Sequence, residues 1–325
     1  MKPYAIGIDV GGTKIAAGLV DRAGIVLERF TTQAHAEQEP EFVISAIEAA
    51  YHAVLAQSGG EAADIEAVGL GFPGNTNGPA GLVLTSSNLP AWDHFPLRDV
   101  VAERLGVPVL LENDCNLCAV GEHRFGAGRG SRHMCYVTLS TGYGIGIIIN
   151  NQLYVGHTGT AGEVGHIVID IGGPPCGCGK HGCVMAYASG VGLSRMAYEA
   201  IDTGAETLLR ERMPPDRQRF GGEVIAAAAG QGDAVAREIL QTAGYYSGVG
   251  LSMVIEMLNP EVIVMGGGLT RIGPMLLEPA MAAMREHTQP ELWDSVRIVP
   301  WQLEADLGII GAAANVFAGA ETVRK

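Results

Sequence analysis

Within Gly162–Cys183, GEVGHIVIDIGGPPCGCGKHGC, the chain places His166, Cys176, Cys178 and Cys183. A Cys-x-Cys pair, a third cysteine five residues on and a histidine ten residues before the first can close a tetrahedral zinc site. Thiolates select against magnesium and calcium, and the interleaved glycines let the backbone turn tightly around an ion. Disulfides are the competing reading. Cys176 and Cys178 stand too close in sequence to pair comfortably, and nothing else in the chain suggests secretion. Four protein ligands leave zinc no open position, so the expected metal is structural. It would shape this loop and orient Glu163 and the imidazole of His166 toward one pocket.

Three glycine-rich turns have the composition of nucleotide-binding loops, two of them suited to phosphates. Asp9 precedes Gly11, Gly12, Thr13 and Lys14 at a strand end. Small residues there expose backbone N–H groups and a hydroxyl to phosphate oxygens, and Asp9 can hold magnesium directly or through water. The alternative is a tight structural hairpin. Ser140, Thr141 and Gly142 offer a second grip on the same phosphate chain. Gly266, Gly267 and Gly268 can pass beneath an adenosine, or form a plain strand-to-helix turn. Neither of the first two loops has Walker A spacing or opens a helix as a dinucleotide fingerprint does.

Asn113 and Asp114 end an apolar strand, where open α/β sheets place ligands. Asp114 there can accept the proton of a substrate hydroxyl during phosphoryl transfer, with Asn113 fixing that hydroxyl. Asp114 could instead cap the following helix. Asn88, in TSSNLPAW, can bond both ways to a polyol or serve a turn; Trp92 is read as a hydrophobic anchor.

These residues need an α/β frame. YAIGIDVGGTKIAAGLVD (4–21) and CYVTLSTGYGIGIIINNQLY (135–154) share one plan: apolar strand, glycine turn, apolar strand, polar turn. That echo suggests two related α/β domains. Periodicity predicts helices over 41–58, 97–105, 234–258, 273–286 and 309–319, with strands at 66–71, 108–114, 262–269 and 296–300. The expected division is an N-terminal domain, 1–122, completed by 306–325, and a larger domain, 123–305, holding the metal loop.

With 325 residues and 47% hydrophobic content, the chain can bury two ordinary cores. A formal charge of −14 and no basic stripe argue against a nucleic-acid partner. No apolar run reaches membrane-spanning length and the opening lacks a signal-peptide pattern, so a soluble cytoplasmic protein is expected. Cys115, Cys118 and Cys135 read as buried small hydrophobes, the C-x-x-C spacing of the first two notwithstanding.

In content and order, IGIDVGGTK (6–14), GLGFPG (69–74), NLPAW (88–92), LLENDCN (110–116), TLSTGYGIG (138–146), GTAGEVGH (159–166), CGCGKHGC (176–183) and VIVMGGGL (262–269) resemble the ROK-family sugar kinases. That family is a branch of the actin/hexokinase-like ATPase superfamily, and the likeness runs along essentially the whole chain. It implies two actin-like, ribonuclease H-like ATPase domains with an interdomain active-site cleft, and ATP-dependent phosphorylation of a hexose. It implies Asp9 and its loop at Mg2+ and ATP, with Thr141, Gly142, Gly267 and Gly268 among the nucleotide contacts. Asp114 matches the catalytic base; Asn88, Asn113, Glu163 and His166 match sugar contacts. His166 also matches a ligand of structural Zn2+ beside the three cysteines. Homodimers are common in such a family.

One departure stands out. Two residues after the last cysteine of its motif, where the family usually carries a sugar-contacting glutamate, this chain has Met185. A thioether cannot accept charge-assisted hydrogen bonds from hydroxyls. Glucose is the first expectation, another hexose or an N-acetylhexosamine the second. A non-catalytic sugar sensor is the third, and it fits less well. Family repressors carry a DNA-binding helix-turn-helix ahead of the ATPase body, whereas here the phosphate-loop strand begins within the first ten residues.

Overall fold

The opening apolar run builds the strand that carries Asp9, and a computed structural model gives its setting for residues 2–34, 39–59, 62–85, 90–214 and 219–322. Strands β1 (Tyr4–Val10), β2 (Lys14–Asp21) and β3 (Val26–Gln33) form an antiparallel meander. Strand β4 (Ile65–Phe72) pairs parallel with β1, a small hairpin joins β5 (Asn75–Asn77) to β6 (Leu82–Thr85), and β7 (Val109–Asn113) pairs parallel with β4. The resulting sheet runs β3-β2-β1-β4-β7.

Period-two alternation sorts β1 between two helical layers. Ile6, Ile8 and Val10 enter a core shared with α1 (Pro40–Ser58) and α2 (Leu97–Leu105). The opposite face takes the C-terminal helix, whose Ile309, Ala313, Val316 and Phe317 pack with Ala5 and Ala67. Glycine makes that second contact close. A methyl group at Gly7 would overlap the carbonyl oxygen of Ile309, and one at Gly69 that of Ala312. The helix backbone thus rests directly on β1 and β4.

The chain continues through α3 (Asp114–Phe125), then β8 (Met134–Leu139), β9 (Tyr143–Ile149) and β10 (Gln152–Leu153). The metal-loop region leads into α4 (Val184–Ala188), α5 (Gly190–Asp202), α6 (Gly222–Gly230) and α7 (Ala234–Leu258). After β11 (Val262–Gly266) come α8 (Pro274–Glu286), α9 (Pro290–Trp293), β12 (Arg297–Pro300) and the C-terminal helix α10 (Leu307–Thr322). The second sheet runs β10-β9-β8-β11-β12. Helices α7 and α8 approach closely: Gly244 has no room for a methyl beside the Leu276 carbonyl, nor Gly248 beside that of Ala280.

The chain forms two compact units, Met1–Tyr136, Gly146–Gly162 and Pro300–Lys325 in one, Val137–Ile145 and Glu163–Val299 in the other. Among the described residues, no helix is long and apolar enough to cross a membrane.

The predicted helices and strands are present, with ends moved by a few residues. Strands β3, β5 and β6 and helices α4, α5, α6 and α9 were not anticipated. In β3 half-buried and exposed positions alternate and none is buried, and α5 opens on Gly190 and Gly192, which count against a helix in any propensity reading.

Candidate active site and metal loop

His166 closes a short 3-10 turn, Val164–His166, and Cys183 precedes α4 as its N-terminal flanking residue. Between them the loop folds back on itself through isolated bridges Val168–Cys183 and Pro175–His181. Cys176 N–H donates to Lys180 O (2.8 Å) and Gly179 N–H to Cys176 O (3.0 Å). Gly179 and Gly182 take φ of 86° and 67°, a conformation that favours glycine, so the two thiols flanking them can converge.

One ligand atom from each of His166, Cys176, Cys178 and Cys183 lies within 4.8 Å of the others. His166 Nδ1 stands 3.5 Å from Cys176 Sγ, and Cys178 Sγ 3.8 Å from Cys183 Sγ. Ligands about 2.0–2.3 Å from a tetrahedral ion stand roughly 3.5–3.8 Å apart, so the donor set fits one metal with thiolate chemistry. The six cysteines are all free, which removes the disulfide reading. His181, in the same stretch, is exposed and outside the cluster.

The imidazole divides its two nitrogens. Nδ1 faces the thiols, and Nε2 lies 3.9 Å from Glu163 Oε2. Burial raises the Glu163 pKa from its ordinary value, opposed by the nearby His166. Glu163 and His166 are therefore brought together, as their spacing suggests.

The second and third glycine turns converge on one cavity. Ser140 N–H bonds to Gly142 O (3.0 Å), closing the turn between β8 and β9. Gly190 N–H donates to Ser140 O (2.8 Å), which docks the start of α5 against that turn. Gly267, with φ of 90°, passes so near Leu139 O that a side chain would overlap it. A cavity of about 560 Å³ opens here, lined by Ser140, Thr141, Gly190, Phe220, Gly268 and Arg271 among others. Arg219, Phe220 and Arg271 were not singled out from sequence, because nothing in their local pattern marks them. Met185 lies beside this turn; a methyl at Gly142 would meet its Sδ at 4.0 Å.

The first glycine turn is a hairpin. Gly11 N–H donates to Lys14 O (2.9 Å), and Ala34 N–H donates to Thr13 O (3.0 Å). Gly11 N–H is thus engaged within the turn, while the space above Gly12 is open. Asp9 roots the turn on the α10 face of β1. Burial raises its pKa from the ordinary value, and Lys14 opposes the shift.

At the end of β7 the helix-cap alternative is resolved in favour of Asn113. Its Oδ1 accepts from Cys115 N (2.9 Å) and Asn116 N (3.1 Å), and its Nδ2 donates to Gly74 O (3.0 Å). Asp114 is the first residue of α3, half-buried, with Oδ1 accepting from Cys115 N at 2.8 Å. Glu112, which sequence reading passed over, accepts from Asn113 N and Asn116 Nδ2, both at 2.9 Å. Burial raises its pKa, opposed by those two hydrogen bonds. It steadies the turn from which Asp114 projects.

Asn88 lies outside the described residues. Trp92 is fully buried between Phe72 and Phe95, with ring centroids 4.7 and 5.1 Å away, so it anchors the core. Cys115 and Cys135 are buried and Cys118 half-buried, and burial pushes the Cys135 thiol up to about 12, as for a small buried hydrophobe.

The comparisons with known proteins agree along the whole chain. Residues 5–318 match the model of the ROK family. The chain is 38% identical over 313 residues to a glucokinase of Streptomyces coelicolor, covering 95% of this chain and 96% of that one. It is 35% identical over 311 residues to a glucokinase of Thermotoga maritima, covering 96% of each. Among solved structures it resembles a ROK-family glucokinase from Streptomyces griseus, in complex with glucose and AMPPNP, with a TM-score of 0.81 and 37% identity over 97% of this chain and 100% of that one. The two five-stranded sheets flanked by helices have that architecture. On this evidence the chain belongs to the ROK family.

Proposed function

We propose that this protein is an ATP-dependent hexose kinase that converts glucose to glucose 6-phosphate. Full-length similarity to glucokinases supports the activity, and the observation that carries the mechanism is Asp114. It is a carboxylate on the first turn of a helix whose capping side chain is Asn113, and it stands at the C-terminal end of a parallel strand. In this reading Asp114 takes the proton of the sugar hydroxyl as that oxygen bonds to the γ-phosphorus. The bond from phosphorus to the bridging oxygen breaks, and ADP leaves with the electron pair. Asn113 retains one amide hydrogen for the sugar. Asn88, Glu163 and His166 are assigned contacts with sugar hydroxyls.

Thr141, Gly142, Gly267 and Gly268 are assigned to the nucleotide, and the neighbouring cavity is of a size for its base and ribose. Gly11, Gly12, Thr13 and Lys14 are assigned to the phosphates, and Asp9 would hold Mg2+. That ion, when bound, neutralises charge on the transferred group. A carboxylate with a lysine on the adjoining turn suits a magnesium–phosphate ligand. Zn2+ is assigned to His166, Cys176, Cys178 and Cys183, on their thiolate chemistry. A cytoplasmic homodimer of two-domain subunits, the N-terminal domain of each completed by the C-terminal helix, completes the reading.

ADP release from Mg-ATP tests it, measured across glucose, mannose, fructose, allose, N-acetylglucosamine and N-acetylmannosamine on protein of confirmed zinc content. Turnover with glucose foremost is expected. Preference for another sugar would transfer the substrate assignment and point to Met185. Sugar binding without ADP release on the whole panel would favour the sensor.

A further inference from the structure

Asp9 shares its face of β1 with Ala5 and Gly7, and opposite it stands Gly308 in the first turn of α10. A methyl group on Gly308 would overlap Asp9 Oδ2, lie 2.5 Å from its Cγ and 2.9 Å from its Cβ. The φ of Gly308 lies outside the left-handed region, so space alone demands glycine here. We propose that Gly308 is a positioning residue for phosphoryl transfer: its missing side chain leaves the room in which the Asp9 carboxylate stands. The inference rests on the reading of Asp9 as the residue that holds Mg2+.

Which partner would yield to a side chain at 308 follows from how each is held. Helix α10 cannot back away. Gly7 and Gly69 place its carbonyls directly on β1 and β4, and a methyl at Gly311 would overlap the carbonyl oxygen of Leu117 in α3. Its approach is also pinned. Glu122, fully buried at the end of α3, accepts from Gln302 N and Leu303 N through Oε1, both at 2.8 Å, and from Ala127 N through Oε2 at 2.7 Å. Asp9 has only its side-chain torsions to give. A residue larger than glycine at 308 turns the carboxylate off its place, and the metal it serves loses a ligand.

Two measurements on the full chain test this. The first is a stability cycle of Gly308→Ala in the parent and in an Asp9→Gly background. In the parent the substitution should lower the unfolding midpoint by roughly 3–8 °C. In the Asp9→Gly background, with the obstructing side chain gone, most of that loss should vanish. An equal loss in both backgrounds overturns the steric argument. The second is calorimetry of ADP binding with and without Mg2+, which needs no sugar turnover. Gly308→Ala should cut the Mg2+-dependent gain in ADP affinity by about tenfold, the usual scale for a residue that orients a metal ligand, and leave Mg2+-free ADP binding in place. Gly311→Ala should cost stability and leave that gain intact. A full Mg2+ gain in Gly308→Ala overturns the proposal. A parent protein that binds ADP equally with and without Mg2+ overturns the reading of Asp9 and the proposal with it. Hexose turnover is then judged separately by the sugar panel.

Discussion

The metal loop and the Asp9 face of the first sheet position polar side chains by opposite means. Around Glu163 and His166 there is little regular structure. Four potential ligand atoms from within eighteen residues converge there, and glycines at positive φ let the loop turn. Around Asp9 there is no local cross-link. The carboxylate is placed by β1, a strand with its flanking turn, and by α10, a helix about three hundred residues later, seated on glycine tracks. The first device is local and chemical, and on the proposed zinc assignment a chelator removes it. The second is distant and steric, and only a change of volume can disturb it.

Breaking the first device should have the larger effect. Cys178→Ser removes a thiolate, and we expect zinc content by elemental mass spectrometry to fall from about one equivalent toward zero. Hydrogen exchange over 163–183 should then rise while α10 keeps its protection. Unchanged metal content would reject the ligand set, and parallel loss in α10 would erase the contrast. Next in size, Gly7→Ala should destabilise by roughly 1–3 kcal/mol, because its methyl overlaps the Ile309 carbonyl where α10 rests on β1. Gly172→Ala, in the metal loop where a methyl meets nothing within 4 Å, should change stability by less than about 0.5 kcal/mol. Chemical denaturation of both variants checks the pair.

The smallest effect concerns the start of α10. The Arg29 guanidinium, bonded to Asp306 at 2.6 and 2.8 Å, holds that carboxyl below its ordinary value of 3.8. A depressed folded value means that the contribution is present above the unfolded value and is lost as the pH falls through the folded one. Arg29→Ala should therefore lower the unfolding midpoint by about 1–2 °C at pH 7, and the difference should fade below about pH 4. A difference that persists at pH 2.5 would contradict the assignment.

This contrast also explains what the sequence made legible. His166, Cys176, Cys178 and Cys183 were readable because their spacing carries the chemistry, and the glycine turns at 11–14, 140–142 and 266–268 because composition marks them. Gly308, Glu122 and Glu112 were not. Their work depends on partners brought near by tertiary packing, and each looks ordinary among its neighbours in the chain. Asn113 is intermediate: its proximity to a helix start was plain, but only the hydrogen bonds to Cys115 and Asn116 mark it, rather than Asp114, as the capping residue. Likewise the lining residues Arg219, Phe220 and Arg271 gather only in the folded cavity.

The most direct test of the account is Asp114→Asn, assayed for glucose-dependent ADP release and, in parallel, for glucose binding by calorimetry. The account predicts that turnover falls by at least about two orders of magnitude, the usual scale for removing a proton acceptor, with glucose affinity largely kept. Turnover close to that of the parent protein would contradict the role of Asp114 and the mechanism built on it.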